Sequence, residues 1–290
     1  MSDLLPIPDH LSFSQITTLL PVGQYHCARK WAIDKRLGVP YEASPAMRVG
    51  SAFDRAVSML FYPRTQAGGD PSVPLDLATA QDVLLAEGQL ILDEAADEDV
   101  DLAGTLASLP LSLEAYAGLH SETPAVAVQQ KVVWWSGGEQ ILSFIDRVDA
   151  DRRITDLKVS GRSPKMEDEE CVDDRLEGWM LQLAFYAAAL ENEALDHGLE
   201  FAWPVPVAID AVTVRKGQAK PRIDVIPGWV TEGDRDRVHE LIAQGRAAKH
   251  SGVYPPNPGP GCDRCSYQAI CRRMSMALEP SFEELVGRLK

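Results

Sequence analysis

Between residues 125 and 160 the chain runs "AVAVQQKVVWW", "SGG", "EQILSFIDRVDA", "DRR" and "ITDLKVS", three β-rich runs separated by short Gly or charged turns. Turns this short set consecutive strands side by side, so the stretch predicts an antiparallel meander. A long helix rich in good helix formers follows, "LEGWMLQLAFYAAALENEAL" at 176–195. Two further β-runs, "VAIDAVTVRKG" and "PRIDVIP", a helix from about Thr231 to Lys249 and the loop "YPPNPGPG" complete the C-terminal half. Before the meander, residues 11–37 read as a Ser-initiated helix, a break and a second helix with Cys27 near its start, and 47–62 as a third helix. Residues from about 76 to 120 form an Ala-, Leu- and acid-rich helical region that Gly104 and Pro110 divide into pieces, an insertion or lobe without chemistry of its own.

With 290 residues, 45% of them apolar, the chain can bury a sizeable core in one large domain or two small ones. No stretch approaches the run of about eighteen apolar residues that a membrane span requires. The opening "MSDLLPIPDH" lacks the basic flank and apolar core of a signal peptide, so a cytoplasmic location is expected. A net charge of −15 argues against nucleic-acid binding by overall field but leaves room for a local basic channel. The acidic runs "LDEAADEDVD" (92–101) and "EDEE" (167–170) read as solvated helix faces or loops.

Asp146 falls in the second run of the meander, and Asp156 and Lys158 in the third. Strand alternation puts Asp156 and Lys158 on one face with Leu157 turned away, and the short turn brings Asp146 close to both. Two converging carboxylates repel unless a cation intervenes, and a hard divalent ion such as Mg²⁺ takes oxygen ligands of this kind. An adjacent ammonium can then stabilise a phosphate or position a water. Taken alone, the same residues also fit a turn and a surface ion pair.

Three of the five cysteines, Cys262, Cys265 and Cys271, lie within "GCDRCSYQAICRR" at 261–273. Tetrahedral zinc and a [4Fe–4S] cluster both want four ligands. The fourth can come from Cys27 or Cys171, or for zinc from His26 or His250, and spacing does not choose between the metals.

These residues together resemble the PD-(D/E)XK nuclease superfamily, specifically its RecB-like branch. "FIDRVDADRRITDLKVSG" is similar to the paired active-site strands of that family, and "LQLAFYAAAL" to the helix that follows them with a Q-x-x-x-Y element, here Gln182 and Tyr186. "LSFSQITTLLPVGQYHCARKWAIDKRLG" resembles the family's opening helices, and "RVGSAFDRAV" its next element, with Asp54 where the family carries a metal-ligating His. The resemblance implies an α/β fold, a central mixed sheet flanked by helices. It covers about residues 11–275 and implies a single domain over 1–275 that includes the 76–120 insertion, followed by a tail at 276–290.

It also implies an Mg²⁺- or Mn²⁺-dependent deoxyribonuclease, an exonuclease on single-stranded DNA or DNA ends in recombination, repair, phage DNA metabolism or CRISPR adaptation. Asp54, Asp146, Asp156 and the Leu157 carbonyl would hold the metal, Lys158 would orient the attacking water, and Gln182 and Tyr186 would support the site. Arg162, Lys165, Arg215 and Lys216, with Lys220 and Arg222, are the basic residues available to track a strand. "GCDRCSYQAICRR" resembles the iron–sulfur segment of AddB-type and CRISPR-associated RecB-like nucleases. That makes Cys27, Cys262, Cys265 and Cys271 the implied ligands of a [4Fe–4S] cluster in the segment 255–273, and leaves Cys171 a free thiol. A helicase, recombination or CRISPR adaptation protein is the implied partner. The rival reading is a nucleic-acid-binding or assembly subunit that kept the fold and lost activity at Asp54; a third is a zinc-stapled protein with accidental acidic strands.

Overall fold

The structure, a computed structural model, describes residues 4–22, 26–95, 100–168, 170–217, 220–259, 262–263, 265–274, 282 and 286. The middle of the 92–101 acidic run and most of the stretch 276–290 lie outside these residues. No helix among the described residues is long and apolar enough to cross a membrane.

The meander forms as its turns require. Strands β2 (Ala125–Ser136) and β3 (Glu139–Asp149) pair antiparallel across Gly137 and Gly138, whose φ values of 57° and 77° suit the tight hairpin turn that only glycine enters without strain. Strand β4 (Ile154–Ser160) continues antiparallel to β3, while β1 (His10–Leu11) pairs with β3 in parallel. A parallel neighbour of β4 needs a crossover, and helix α7 (Leu176–Asp196) provides it before β7 (Val205–Thr213). Strand β8 (Arg222–Val230) then pairs antiparallel with β7. The result is the expected mixed α/β sheet of six strands, with a separate two-stranded ribbon of β5 (Met166–Glu167) and β6 (Glu170–Cys171).

Helices cover both faces, and alternation along β7 divides its side chains between two cores. Ile209 and Ala211 join Trp31, Trp134, Leu183 and Phe185 in one core, with α7, α1 (Phe13–Leu19), α2 (Ala28–Leu37) and α8 (Glu232–His250). Val212 joins Phe53, Leu60, Phe61, Leu113 and Tyr116 in the other, with α3 (Pro45–Gln66), α4 (Leu77–Glu94), α5 (Val100–Leu106) and α6 (Leu109–Leu119). Phe282 and Val286, near the C-terminus, are buried in the first core, where the Phe282 ring meets Tyr254 edge-on.

Side-chain caps start four of the helices. Ser12, Ser44 and Asp76 accept hydrogen bonds from the N–H groups of Gln15, Met47 and Thr79, and Thr231 with Asp234 closes a capping box. Two sequence expectations are corrected. The third helix does not stop at 62 but continues through Pro63 to Gln66, because the buried Arg64 guanidinium donates to the carbonyls of Val73, His120, Ser121 and Thr123 and ties the last turn to the core. Gly104 does not break the helical lobe; it sits inside α5, where a Cβ would come within 2.6 Å of the Lys216 side chain. The breaks fall instead on either side of α5, and Pro110 opens α6, where its missing N–H is not needed.

A buried ion pair joins α8 to the sheet. Lys249 is 1% exposed, and its ammonium donates to the buried Glu139 carboxylate of β3. Removing one member of a buried pair strands the other charge, so Lys249→Met is expected to destabilise the fold by about 3–5 kcal/mol and Lys249→Met/Glu139→Met to recover most of the loss. Urea unfolding of the three proteins measures both effects.

Candidate active site

The site begins where a ladder ends. Strands β3 and β4 pair only at Arg147↔Thr155 and Val148↔Ile154, next to their turn, before β4 runs on beside β7. The next opposed residues are Asp146 and Asp156. Asp146 takes up a main-chain donor at the opening, its Oδ2 accepting from the Leu157 N–H at 2.8 Å. Asp156 is fully buried.

Lys158 lies on the same side of β4 as Asp156, with Nζ 2.7 Å from Asp156 Oδ2. The aligned hydrogen bond of that ammonium goes to Gln182 Oε1 at 2.8 Å, and Gln182 Nε2 donates to the Tyr186 hydroxyl at 2.6 Å. Gln182 and Tyr186 stand one helical turn apart on α7, so the helix holds the lysine through a chain of two polar side chains. Burial, together with Asp156 and Asp146, pushes the Tyr186 hydroxyl well above its usual pKa, so it stays protonated.

Asp54 arrives from the opposite side on α3. It faces Gln129 of β2, whose Nε2 lies 2.9 Å from both Asp54 oxygens and 3.5 Å from Asp146 Oδ1. Gln129 has a left-handed φ of 46° in mid-strand, and that conformation reverses the facing of the hairpin. Val128 and its partner Arg147 belong to the α3–α6 side, where the guanidinium lies 5.0 Å from the Phe61 ring. Two residues on, where regular alternation would repeat that face, Gln130 instead donates to Glu193 of α7 at 2.8 Å and its partner Ile145 enters the α7 core.

Behind the carboxylates lies a second buried cluster. Arg147 donates to Asp149 Oδ1 (3.0 Å), Thr155 Oγ1 (3.2 Å), Tyr116 (2.8 Å) and Asp210 Oδ2 (3.2 Å). Asp210 also accepts from Tyr116 at 2.6 Å and lies 3.0 Å from His120 Nε2. Burial pushes the Asp210 carboxyl up, but His120 and Arg147 outweigh it and hold it below its ordinary value. The cluster locks β3, β4 and β7 to the helical lobe.

The three front carboxylates behave oppositely. Burial and then Asp156 raise Asp54 from 3.8 to about 6. Burial, then Asp156 and Asp54, raise Asp146 well above its usual range; Asp156 is also raised by burial, against the pull of Lys158. Neither Asp156 oxygen has an aligned hydrogen-bond donor among the described residues. Mutually repelling, incompletely satisfied carboxylates are what a hard divalent cation relieves, and this donor set fits one. Among the described residues no three His, Cys, Asp or Glu side chains are placed, as they stand, so that together they could hold a metal ion.

The basic residues are largely engaged. Arg162 pairs with Asp174 at 3.3 Å, Lys165 with Glu167 at 2.7 Å and Arg222 with Asp224 at 2.8 Å. Arg215 donates to the Gly161 carbonyl at 2.7 Å, fastening the end of β7 to the loop after β4, and Lys216 lies over Gly104. All five cysteines are half-buried, and none is in a disulfide. Cys27 stands at the N-cap position of α2 without a side-chain cap bond, Cys271 lies in α9 (Gln268–Arg273), and Cys171 lies in β6. Sequence reasoning missed Gln129, although the doubled "QQ" interrupts the alternation of β2. It also missed Arg147, Tyr116, His120 and Asp210, which carry no local signal.

The raised carboxylates set a pH dependence. Each binds its proton more tightly folded than unfolded, so their destabilising cost is absent below about pH 4 and grows as pH rises through the folded values. In metal-free protein, Asp54→Asn is expected to leave stability unchanged at pH 4 and to raise it at pH 8 by at most about 3 kcal/mol. Unfolding curves in chelator at the two pH values measure the difference.

The model of the PD-(D/E)XK nuclease superfamily matches residues 10–272. A crystal structure of a Eubacterium rectale protein provisionally named an exonuclease superposes with a TM-score of 0.52 and 19% identity, over 93% of this chain and 91% of that one. A second structure, of SSO0001, gives a TM-score of 0.32 and 14% identity over 84% of this chain and 93% of that one. No curated protein matches the sequence. A family match running from β1 to α9 takes in every strand and carboxylate of the site, and the chain belongs to the PD-(D/E)XK nuclease superfamily.

Proposed function

We propose that the protein is a divalent-metal-dependent deoxyribonuclease that hydrolyses phosphodiester bonds, acting as an exonuclease on single-stranded DNA or DNA ends. The observation that carries this reading is the convergence of Asp54, Asp146 and Asp156 beside Lys158, whose ammonium is held by Gln182. Asp54, Asp146, Asp156 and the Leu157 carbonyl are the groups that would hold Mg²⁺ or Mn²⁺, which when bound polarises the phosphate and lowers the pKa of a water. Lys158 contributes a positive charge beside the scissile phosphate and orients the attacking water. Gln182 keeps that ammonium pointed at the site, and Tyr186, protonated and buried, keeps Gln182 in place. The rival of an inactive binding subunit finds no favouring observation, since Asp54 faces the other carboxylates and is raised by Asp156 rather than turned to solvent.

The strand leading into the site would be tracked by Arg162, Lys165, Arg215 and Lys216, from loops that Arg215 joins. A helicase, recombination or CRISPR adaptation protein would deliver the DNA. Incubating end-labelled single- and double-stranded DNA with Mg²⁺ or Mn²⁺ tests the activity. Wild type is expected to shorten the label from one end, with Lys158→Ala reduced by about 100-fold or more. Absence of any cleavage by wild type would refute the reading.

The proposed cofactor of the C-terminal segment is a [4Fe–4S] cluster on Cys27, Cys262, Cys265 and Cys271. Protein contacts support it by docking this segment on the start of α2. The Arg29 N–H donates to the Pro255 carbonyl at 3.3 Å, and Asn257 Nδ2 to the His26 carbonyl at 3.0 Å. Cys262 Sγ lies 3.8 Å from the Asn257 carbonyl oxygen. Burial pushes the Cys271 thiol up; Arg29 opposes this, while Cys27 and Cys265 add to it from nearby. Four thiolates drawn from both ends of the domain would convert ligand binding into folding free energy, a structural role apart from hydrolysis. Purified protein is expected to absorb at roughly 400 nm, and Cys262→Ala to lose that band and unfold at a lower temperature. An unchanged thermal midpoint in the variant would rule the clasp out.

A further inference from the structure

Gln129 belongs to none of the sequence motifs, yet its side chain reaches both Asp54 and Asp146. A left-handed backbone at an ordinary residue in mid-strand persists only where the surroundings over-determine it. Here the conformation separates two neighbouring glutamines. Gln130 turns to Glu193 on α7, and Gln129 turns to Asp54 and Asp146. Ionised carboxylates only accept hydrogen bonds, so the amide presents its nitrogen, 2.9 Å from each Asp54 oxygen and 3.5 Å from Asp146 Oδ1.

A neutral amide satisfies acceptors without cancelling their charge. It therefore bridges Asp54 and Asp146 while leaving the repulsion among three acidic groups in place. The same group has a second end of opposite character. A half-turn about the terminal side-chain torsion exchanges nitrogen for oxygen in nearly the same volume, and an amide oxygen is a ligand that hard divalent cations accept.

We infer that Gln129 is a further side chain of the cation site: its amide links Asp54 to Asp146 and would offer its oxygen to a divalent cation that those carboxylates hold. This inference rests on the proposed metal-dependent site and adds to it a residue that links two of its carboxylates and can supply one more oxygen. Asp54 is on α3 and Asp146 on β3, so the bridge also spans the two layers that the site must keep in register.

Mn²⁺ binding to the full metal-free chain, without DNA, provides the test, read by isothermal titration and by the electron paramagnetic resonance signal of free Mn²⁺. Asp146→Asn serves as the marker of the site. Gln129→Leu keeps the size but removes both ends of the amide, and is expected to weaken Mn²⁺ binding by about 10-fold or more. Gln129→Glu adds a charged oxygen ligand and is expected to tighten binding by about 10-fold, with a lower thermal midpoint than wild type in chelator and a larger Mn²⁺-induced rise. Affinities of both variants within about 2-fold of wild type would overturn the role of Gln129 while leaving the cation site intact. Wild type that binds no Mn²⁺, or binding unaffected by Asp146→Asn, would instead remove the cation site on which the inference stands. The opposite responses of the two variants keep a general loss of folding from imitating the expected result.

Discussion

Mutual repulsion among Asp54, Asp146 and Asp156 is the constraint around which the domain is organised. Burial raises all three carboxyls, Asp156 adds to it at Asp54 and Asp146, and acidic groups so placed spread apart unless rigid elements hold them. Each comes from a different element: α3, β3 and β4. Their convergence therefore depends on the fold as a whole. The sheet supplies two of them by letting β3 and β4 part just beyond Arg147 and Thr155, and the helical lobe supplies the third.

Two sets of contacts counter that repulsion from behind and from the side. Arg147 is bonded to Asp149, Thr155, Tyr116 and Asp210, which fixes the strand pair at the point where it opens. A buried charge network of this kind adds little net stability compared with apolar packing, but its directed bonds specify one arrangement. On the α7 side, Lys158, Gln182 and Tyr186 form a line of hydrogen bonds that turns a flexible ammonium into a positioned one. The cation-friendly front and the cation-filled back thus share β3, where Asp146 and Arg147 are consecutive residues facing different partners.

Much of the fold could be read from local pattern. The short turns at 136–138 and 150–153 require neighbouring antiparallel strands, and period-two alternation places Asp156 and Lys158 together with Leu157 turned away. Helical spacing likewise predicts that Gln182 and Tyr186 meet, as they do. Pattern failed where a residue's reason lay across the fold. Gly104 looked like a helix breaker and is a place for the Lys216 side chain to pass; the third helix, read as ending at 62, runs on to Gln66, held by bonds from Arg64 to residues 120–123.

The candidate site divides along the same line. Residue identity and spacing were enough for the strand carboxylates, the lysine beside them and the helix that supports it, because each relation spans one turn, one strand or one helical step. Only the tertiary structure decided that Asp54 meets Asp146 through an amide, since no periodic rule links residues 54, 129 and 146. It also decided which of two adjacent glutamines enters the site. Alternation assigns faces only while the backbone stays extended, and at Gln129 a φ of 46° ends that regularity. The long-range contacts that stabilise this conformation exist only when sheet, lobe and α7 are packed together, so no stretch of sequence contains them.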